Sequence, residues 1–480
     1  MKRSLNPKTQ QPYRVLWFGD LVTPSGFGRI GNEVTRRLVQ RGYLLQGASL
    51  TYTGWPAPEI PFHVWPLGGQ DIWNGLVTAV ASFQPDLLIS CQDFPYHFQI
   101  WHGVRIDFSK IKWMWITPID GTPVHPDWAN IADYADGKMV ISRFGVEAMR
   151  QQGKRVALCH PGIELSEFYP PTPEEKSELR KKAGYIDADY IIGVVCMNQG
   201  RKAISQMITA FHEFARDKPN ARLYLDMDKI SPAGWDIPAL LKQMQWTEDE
   251  QKRIAYREDL FKKDFAAFSP LRNRYALMDL HMVISHREGF GLPLLESMAC
   301  RVPAMALDWC SGPEICGDGR GFLVSRIDYM EHGCWGGARD AFPDMWELVQ
   351  KMEFAYSKPD ETRAIAQRGY EWAIKQTWDV TTDQVEDVIQ TALARERKVR
   401  PDAQPIPANP APGLSDTFGP AHESPGRLAR AGNPGDEQPI AVGGDPQLQP
   451  PERSNHSDGE PVPDGADVGA GGQAGDSSPG

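Results

Sequence analysis

Apolar residues along this chain come in short continuous runs, each followed by a loop and then by a stretch where apolar side chains recur every three or four positions. The first such unit is RVLWF at 14–18, a loop to Ser25, and an amphipathic stretch through Gln40 that Gly42 stops. A short apolar run bounded by turn residues marks a buried strand, and a period near 3.6 marks a helix with one apolar face. The same alternation predicts strands at 48–53, 86–90, 112–117, 137–141 and 156–159, with helices between them. After Pro170 and Pro171 the pattern restarts. It predicts strands at 191–196, 222–225, 253–256, 280–285 and 302–307, and a helix over 203–216 with Ile204, Met207, Ile208 and Phe211 on its apolar face. Helical pattern returns from Trp346, and 361–395 reads as two helices with no strand after them. Strands alternating with helices build parallel sheets covered on both faces, so the chain reads as two doubly wound α/β domains in succession.

Composition changes this picture at one end. From residue 401 the sequence turns to Pro, Gly, Ser and Asp with almost no aromatic residues, too little apolar surface to offset the entropy of ordering. We read 399–480 as a disordered tail. It holds twelve acidic residues against three basic ones from 401 on, so nine of the eleven net negative charges belong to it. The rest of the chain is nearly neutral, and composition advertises no nucleic-acid-binding face. The seven cysteines, at 91, 159, 196, 300, 310, 316 and 334, lack C-x-x-C spacing and read as reduced thiols of a cytoplasmic protein. Cys310, Cys316, His332 and Cys334 match no usual zinc spacing. Residues 1–11 are polar and the first apolar run is far shorter than a signal segment or a membrane span.

Candidate chemistry concentrates in 283–303, VISHREGFGLPLLESMACRVP. The stretch reads as strand, loop, helix. Gly289 and Gly291 allow close backbone approach, Pro293 suits a first helical turn, and the helix from Leu292 aims free N–H groups and its positive end at the same place. Glu288 and Glu296 bracket that spot. Two other motifs mislead. Gly26-Phe-Gly28-Arg-Ile-Gly31 fits the dinucleotide fingerprint G-x-G-x-x-G, but its first glycine does not follow the strand directly and the second strand ends in TYTGW without a carboxylate. Asp226-Met-Asp228 fits D-x-D, a metal-binding motif, yet it falls in the second of two sheets.

Glu288-Gly-Phe-Gly-Leu-Pro-Leu-Leu-Glu296 resembles the E-x7-E signature of retaining glycosyltransferases of family 4, among the group 1 glycosyltransferases. SGPEICGDGRGFLV at 311–324, HPGIELSEFYP at 160–170 and NQGRKAI at 198–204 resemble further segments of that family, in order, across roughly residues 14–380. The resemblance implies a GT-B fold: two Rossmann-like doubly wound domains facing a central cleft. The implied division is an acceptor-side domain at 1–168, a nucleotide-sugar domain at 169–360 and helices at 361–398 that cross back to the first domain. It also implies a metal-independent, retaining hexosyltransferase with no cofactor beyond its nucleoside diphosphate sugar. By that resemblance Glu288 and the backbone of Gly289, Phe290, Gly291 and Leu292 contact the sugar, Glu296 the ribose, Arg201 and Lys202 the diphosphate, and Gly28 faces the diphosphate across the cleft. Asp120, in PIDG at the carboxyl end of the strand 112–117, is an acceptor-side catalytic candidate, with a turn-capping role as its alternative. His125 stays unassigned.

Family members usually carry an arginine five residues before the loop lysine. Here that position is Met197, which leaves Arg201 to replace it. A sugar-nucleotide isomerase, a phosphorylase or an inert donor-binding module would share this architecture. The acceptor is open among a sugar chain, a lipid, a protein and a modified nucleic acid base. The Pro- and aromatic-rich segment 55–66 suits recognition of any of them or covers a sheet edge. Arg36, Arg37 and Arg41, with Arg29 nearby, read as a solvated helix face or as a surface for peripheral membrane contact. No obligate protein partner is indicated.

Overall fold

The computed structural model describes residues 4–55, 59–69, 71–331 and 338–396. The expected tail, His332, Cys334 and part of the segment 55–66 lie outside the described residues. The first sheet contains β1 (Arg14–Gly19), β2 (Leu44–Ser49), β3 (Val64–Pro66), β4 (Leu87–Cys91), β5 (Lys112–Thr117), β6 (Gly137–Val140) and β7 (Ala157–Leu158), in the order β3-β2-β1-β4-β5-β6-β7. The second contains β8 (Tyr190–Val195), β9 (Ala221–Asp226), β10 (Ile254–Tyr256), β11 (Leu280–Val283), β12 (Ala304–Leu307) and β13 (Phe322–Val324), in the order β10-β9-β8-β11-β12-β13. Every neighbouring pair in both sheets is parallel. The two orders are the same doubly wound arrangement, so the expected pair of Rossmann-like domains is what forms.

The reason lies in the continuous apolar runs. In β1, Val15 and Trp17 join one buried cluster while Leu16 and Phe18 join another, because successive strand side chains point to opposite faces and helices cover both. In β8, Ile191 and Val195 face one cluster, and Ile192 and Val194 the other. Fully burying a side chain of this kind is worth roughly 1.5–3 kcal/mol, so a polar residue at any of these positions would be strongly selected against.

Three differences from the sequence expectations have physical causes. The strand placed at 48–53 is Leu44–Ser49, because Gln46 and Gly47 interrupt its apolar run and hid its start. β3 lies inside the Pro- and aromatic-rich segment and ends on Pro66, as an edge strand tolerates. Finally, β14 (Arg326–Glu331) and β15 (Arg339–Pro343) form an antiparallel pair whose first strand is exposed at every residue, so no alternation announced it.

The chain passes between the sheets twice at one place. Ile163 N–H donates to Gln376 O at 2.7 Å, Ile163 bridges Thr377 in parallel, and a Cβ on Gly162 would collide with the Thr377 carbonyl carbon. The helix Trp378–Ala394 then lies against the first domain. There Arg41 reaches Asp383 and Glu386, both at 2.8 Å, and Tyr43 OH donates to Glu386 at 3.1 Å. Arg37 pairs with Glu33 at 2.5 Å, Glu164 at 2.9 Å and Asp379 at 3.3 Å. On this basic helix face Arg37 and Arg41 are engaged within the chain, where they clamp the returning helix and the linker. No helix among the described residues is long and apolar enough to cross a membrane.

Candidate functional site

The carboxyl ends of both sheets turn toward each other, and the loops there form the candidate active site. The loop after β8 is shaped by Asn198. Its side-chain amide donates to Asp228 O (3.0 Å) and Trp235 O (2.8 Å) and its oxygen accepts from Trp235 N–H (2.9 Å). The chain then makes a tight turn at Gly200–Lys202 and enters the helix Ile204–Phe214, whose amino end has no side-chain cap. Such an end keeps unsatisfied N–H groups for an anion. Lys202 is buried and its Nζ donates to Glu288 Oε2 at 2.5 Å. Arg201 Nη1 donates to Arg287 O at 2.9 Å and lies 3.9 Å from the same carboxylate oxygen. Arg201 thus points into the cleft rather than to solvent, whereas Met197 is 54% exposed.

Glu288 ends the loop after β11. Ser285 Oγ donates to it at 3.0 Å, and Ser311 Oγ holds the carbonyls of Glu288 and Phe290, at 2.9 and 2.8 Å. Burial alone would raise the Glu288 carboxyl, but Lys202 and Arg201 outweigh it and hold it below the usual carboxylate range. It is an anion at neutral pH. Gly291 has φ of +96°, the left-handed conformation that favours glycine, and caps the helix Leu292–Ala299. Gly289 is required for a different reason: a Cβ there would lie 2.8 Å from Pro118 of the first domain and 3.8 Å from the Asp120 Cβ. Phe290 is buried edge-on against His160, 4.6 Å between ring centroids, which ties the HPGIE segment to the loop. His160 Nε2 also lies 3.4 Å from Glu314, whose other oxygen accepts from Arg143 N–H at 2.7 Å.

Glu296 sits one turn into that helix and is 4% exposed. Its Oε2 accepts from Tyr275 OH at 2.7 Å, and its Oε1 accepts from Arg29 Nη1 at 2.6 Å. Arg29 belongs to the first domain, on the helix Gly26–Gln40. The glycine motif that opens this helix serves packing. A Cβ on Gly28 would collide with Thr23 O, one on Gly31 with Asp20 O, and the Gly28 amide donates to Ser25 Oγ at 3.0 Å. Gly26 faces Leu292 across the cleft, 3.8 Å from a built Cβ to Leu292 Cδ1.

On the first-domain side, Asp120 is half-buried beside Gly289, and its carbonyl accepts from Cys310 Sγ at 3.2 Å. No hydrogen bond among the described residues ties its carboxylate to the Gly121 turn. His125 instead caps the helix Pro126–Asn130, accepting from Asp127 N–H at 3.3 Å. The group that sequence reasoning missed is Asp93. It occupies the N-cap position of the helix Phe94–His102 but makes no capping bond. Burial first, then the neighbouring Asp120, push its carboxyl up to about 7, with Arg201 pulling the other way. Its signal was present, since this carboxylate lies two residues past the carboxyl end of β4, where ligands bind in open α/β sheets.

The D-x-D pair is consumed internally. Asp226 accepts from Arg274 at 3.1 Å and from Tyr224 OH at 3.1 Å, and Asp228 pairs with Arg257. Among the described residues no group of His, Cys, Asp and Glu is arranged to hold a metal ion.

Residues 175–331 match the family "Glycosyl transferases group 1". The chain is 24% identical over 254 residues to the putative glycosyltransferase EpsD of Bacillus subtilis, covering 52% of this chain and 59% of that one. It is 23% identical to a D-inositol 3-phosphate glycosyltransferase of Segniliparus rotundus, covering 48% and 45%. The alignments thus span about half the length of the curated relatives. Among solved structures it is similar to sucrose-phosphate synthase from Thermosynechococcus elongatus, with a TM-score of 0.62, 16% identity, and coverage of 80% of this chain and 99% of the other. It is also similar to Anabaena Alr3699/HepE in complex with UDP and glucose, with a TM-score of 0.58, 16% identity, and coverage of 79% and 100%. Two facing doubly wound sheets, with Lys202 and Glu288 on loops of the second and Glu296 on the helix that follows, thus accompany the match of residues 175–331 to the group 1 glycosyl transferases, and the chain has the GT-B fold.

Proposed function

We propose that this protein transfers a hexosyl group from a nucleoside diphosphate sugar to an acceptor, with retention of the anomeric configuration and without a metal ion. The observation that carries this reading is the Glu288 carboxylate, kept anionic on a glycine loop by Lys202 at 2.5 Å and Arg201 at 3.9 Å. Lys202, Arg201 and the amino end of the helix Ile204–Phe214 together supply positive charge for a leaving diphosphate, the task a divalent cation performs elsewhere. Glu288 and the backbone of 289–291 lie where the sugar would sit, and its charge stabilises the oxocarbenium-like centre that forms as the C1–O bond to the diphosphate breaks. Glu296 is the partner for ribose hydroxyls. Asp120 and Asp93 line the acceptor side.

The test is donor hydrolysis across UDP, GDP and ADP sugars, run with and without a chelator, followed by a screen of sugar, lipid, protein and nucleic acid acceptors. The Anabaena protein is seen with UDP and glucose, so UDP-glucose is the first donor to try. Turnover unaffected by chelator and a product of unchanged anomeric configuration are the expected results. Transfer of the glycosyl group to added free phosphate, giving a sugar phosphate, would make the protein a phosphorylase, and inversion of the anomeric centre would overturn the assignment of retention.

A further inference from the structure

Glu296 has two hydrogen-bonding partners of different character. Tyr275 is fully buried, and its bond to Oε2 is internal to the second domain. Arg29 comes from the opposite domain and makes a single bond, Nη1 to Oε1 at 2.6 Å. Its side chain is 25% exposed, and its guanidinium lies 5.2 Å from the centroid of the Phe168 ring on the linker. Burial pushes up the carboxyl of Glu167, the residue before that ring, and Arg29 is near enough to offset part of the rise. The guanidinium therefore has a second carboxylate within its field. Glu296 thus has one fixed donor and one replaceable donor.

A guanidinium N–H and a ribose O–H offer a carboxylate the same thing, a hydrogen-bond donor. We propose that Arg29 is a latch that occupies the ribose position on Glu296 in the empty protein and is displaced by the donor's ribose hydroxyls. The inference rests on the donor reading above. Because the ion pair joins the two domains, its loss on binding removes a contact that holds them together at the back of the cleft, and ribose recognition is thereby coupled to domain position. The phosphate cations take no part, since Lys202 and Arg201 lie on a separate loop with their own partners. Arg29 is in this account a positioning residue. The cost of breaking its ion pair is subtracted from donor affinity, and a ligand that cannot displace it avoids that cost.

The experiment measures binding of UDP, GDP and ADP to the full chain by calorimetry, for the wild type, Arg29→Met and Arg29→Lys. The tightest diphosphate is then compared with its 2′,3′-dideoxy analogue. For the ribose form, Arg29→Met should bind roughly three- to tenfold more tightly than wild type, the range expected when one partly exposed ion pair no longer competes. Arg29→Lys should fall between the two. For the dideoxy analogue, which has no hydroxyl to displace the latch, the gain should vanish. Equal or weaker binding of the ribose form by Arg29→Met, or the same gain with the dideoxy analogue, overturns the latch while leaving the donor reading in place. If none of the three diphosphates binds even the wild type, the donor reading fails and the latch with it. Should Arg29→Met not fold, Arg29→Lys is judged by the same two comparisons.

Discussion

The two domains share one strand order but equip their cleft faces in opposite ways. The second domain holds its carboxylates already partnered, Glu288 by Lys202 on glycine-bearing loops and Glu296 by Tyr275 on the helices beside them. The first domain contributes carboxylates without cations of their own, Asp93 and Asp120, and sends Arg29 across to the other side. The same scaffold thus makes one wall of paired cations and carboxylates and one wall of carboxylates. The difference lies in the loops, which a parallel sheet leaves free to vary.

If this division of labour holds, Glu288→Gln has the largest effect. Removing the anion that Lys202 and Arg201 share should lower donor turnover by about a hundredfold or more, the scale of losing one preorganised electrostatic group. The thermal midpoint should move by no more than about 2 °C, which calorimetry reads directly. Wild-type-like turnover would remove Glu288 from the mechanism. Next come the cations. Lys202→Ala should cost at least as much as Arg201→Ala, each on the order of one charge-assisted hydrogen bond, about ten- to a hundredfold in steady-state turnover. Met197→Arg, added to Arg201→Ala, should restore part of the loss, because the exposed Met197 side chain leaves room for a longer one.

The first-domain wall is tested more gently. Asp93 has its folded pKa raised to about 7. The unfolded carboxyl titrates near 3.9, so the stability tied to this group is fully present below that value and is lost as pH rises toward and through 7. Asp93→Asn should therefore raise the thermal midpoint at pH 8 by roughly 2 °C, with the difference closing by about pH 4. No difference between the two pH values would show that the carboxyl is solvated. The clamp behind the cleft should matter about as much. Arg37→Ala with Arg41→Ala is expected to lower stability by about 1–2 kcal/mol in denaturant titrations, since these arginines are mostly buried but several of their partners are exposed. The same variant should bind anionic vesicles no differently from wild type in sedimentation, and a drop would restore the membrane reading of this helix. Smallest of all is deletion after residue 400, which should leave midpoint and donor hydrolysis unchanged, since the tail's composition cannot pack.

What could be read from the sequence follows the same division. The second domain's wall was legible because its residues are local: Glu288, Gly289, Gly291 and Glu296 lie within nine consecutive positions, and Arg201 and Lys202 are adjacent. The sheets were legible because both faces are covered and their strands are continuously apolar. The first domain's wall was not, since Asp93 and Asp120 come together only once β4 and β5 pair. The role of the arginines was hidden by distance in sequence: Arg41 and Glu386 are 345 residues apart. A helical wheel shows only that Arg37 and Arg41 share a face, which is what a solvated surface shows as well. The pair of β14 and β15 was hidden because β14 is exposed at every residue, yet it reaches the site, where Ala341 N–H donates to the His286 carbonyl and Arg339 N–H to Thr122 O of the first domain.

The double passage of the chain between the sheets sets the geometry of any movement. Two crossings far apart would let the domains shear or twist independently. Here 162–163 and 376–378 run side by side, joined by the Ile163 bridge to Thr377 and by the steric closeness that only a glycine at 162 permits. They act as two strands of one torsion rod. Rotation of one domain against the other about that line is the motion such a pairing favours, and in a rotation displacement grows with distance from the axis. A substitution at Gly162 or Ile163 should therefore change how stiff any closure is, without touching the residues that face the cleft.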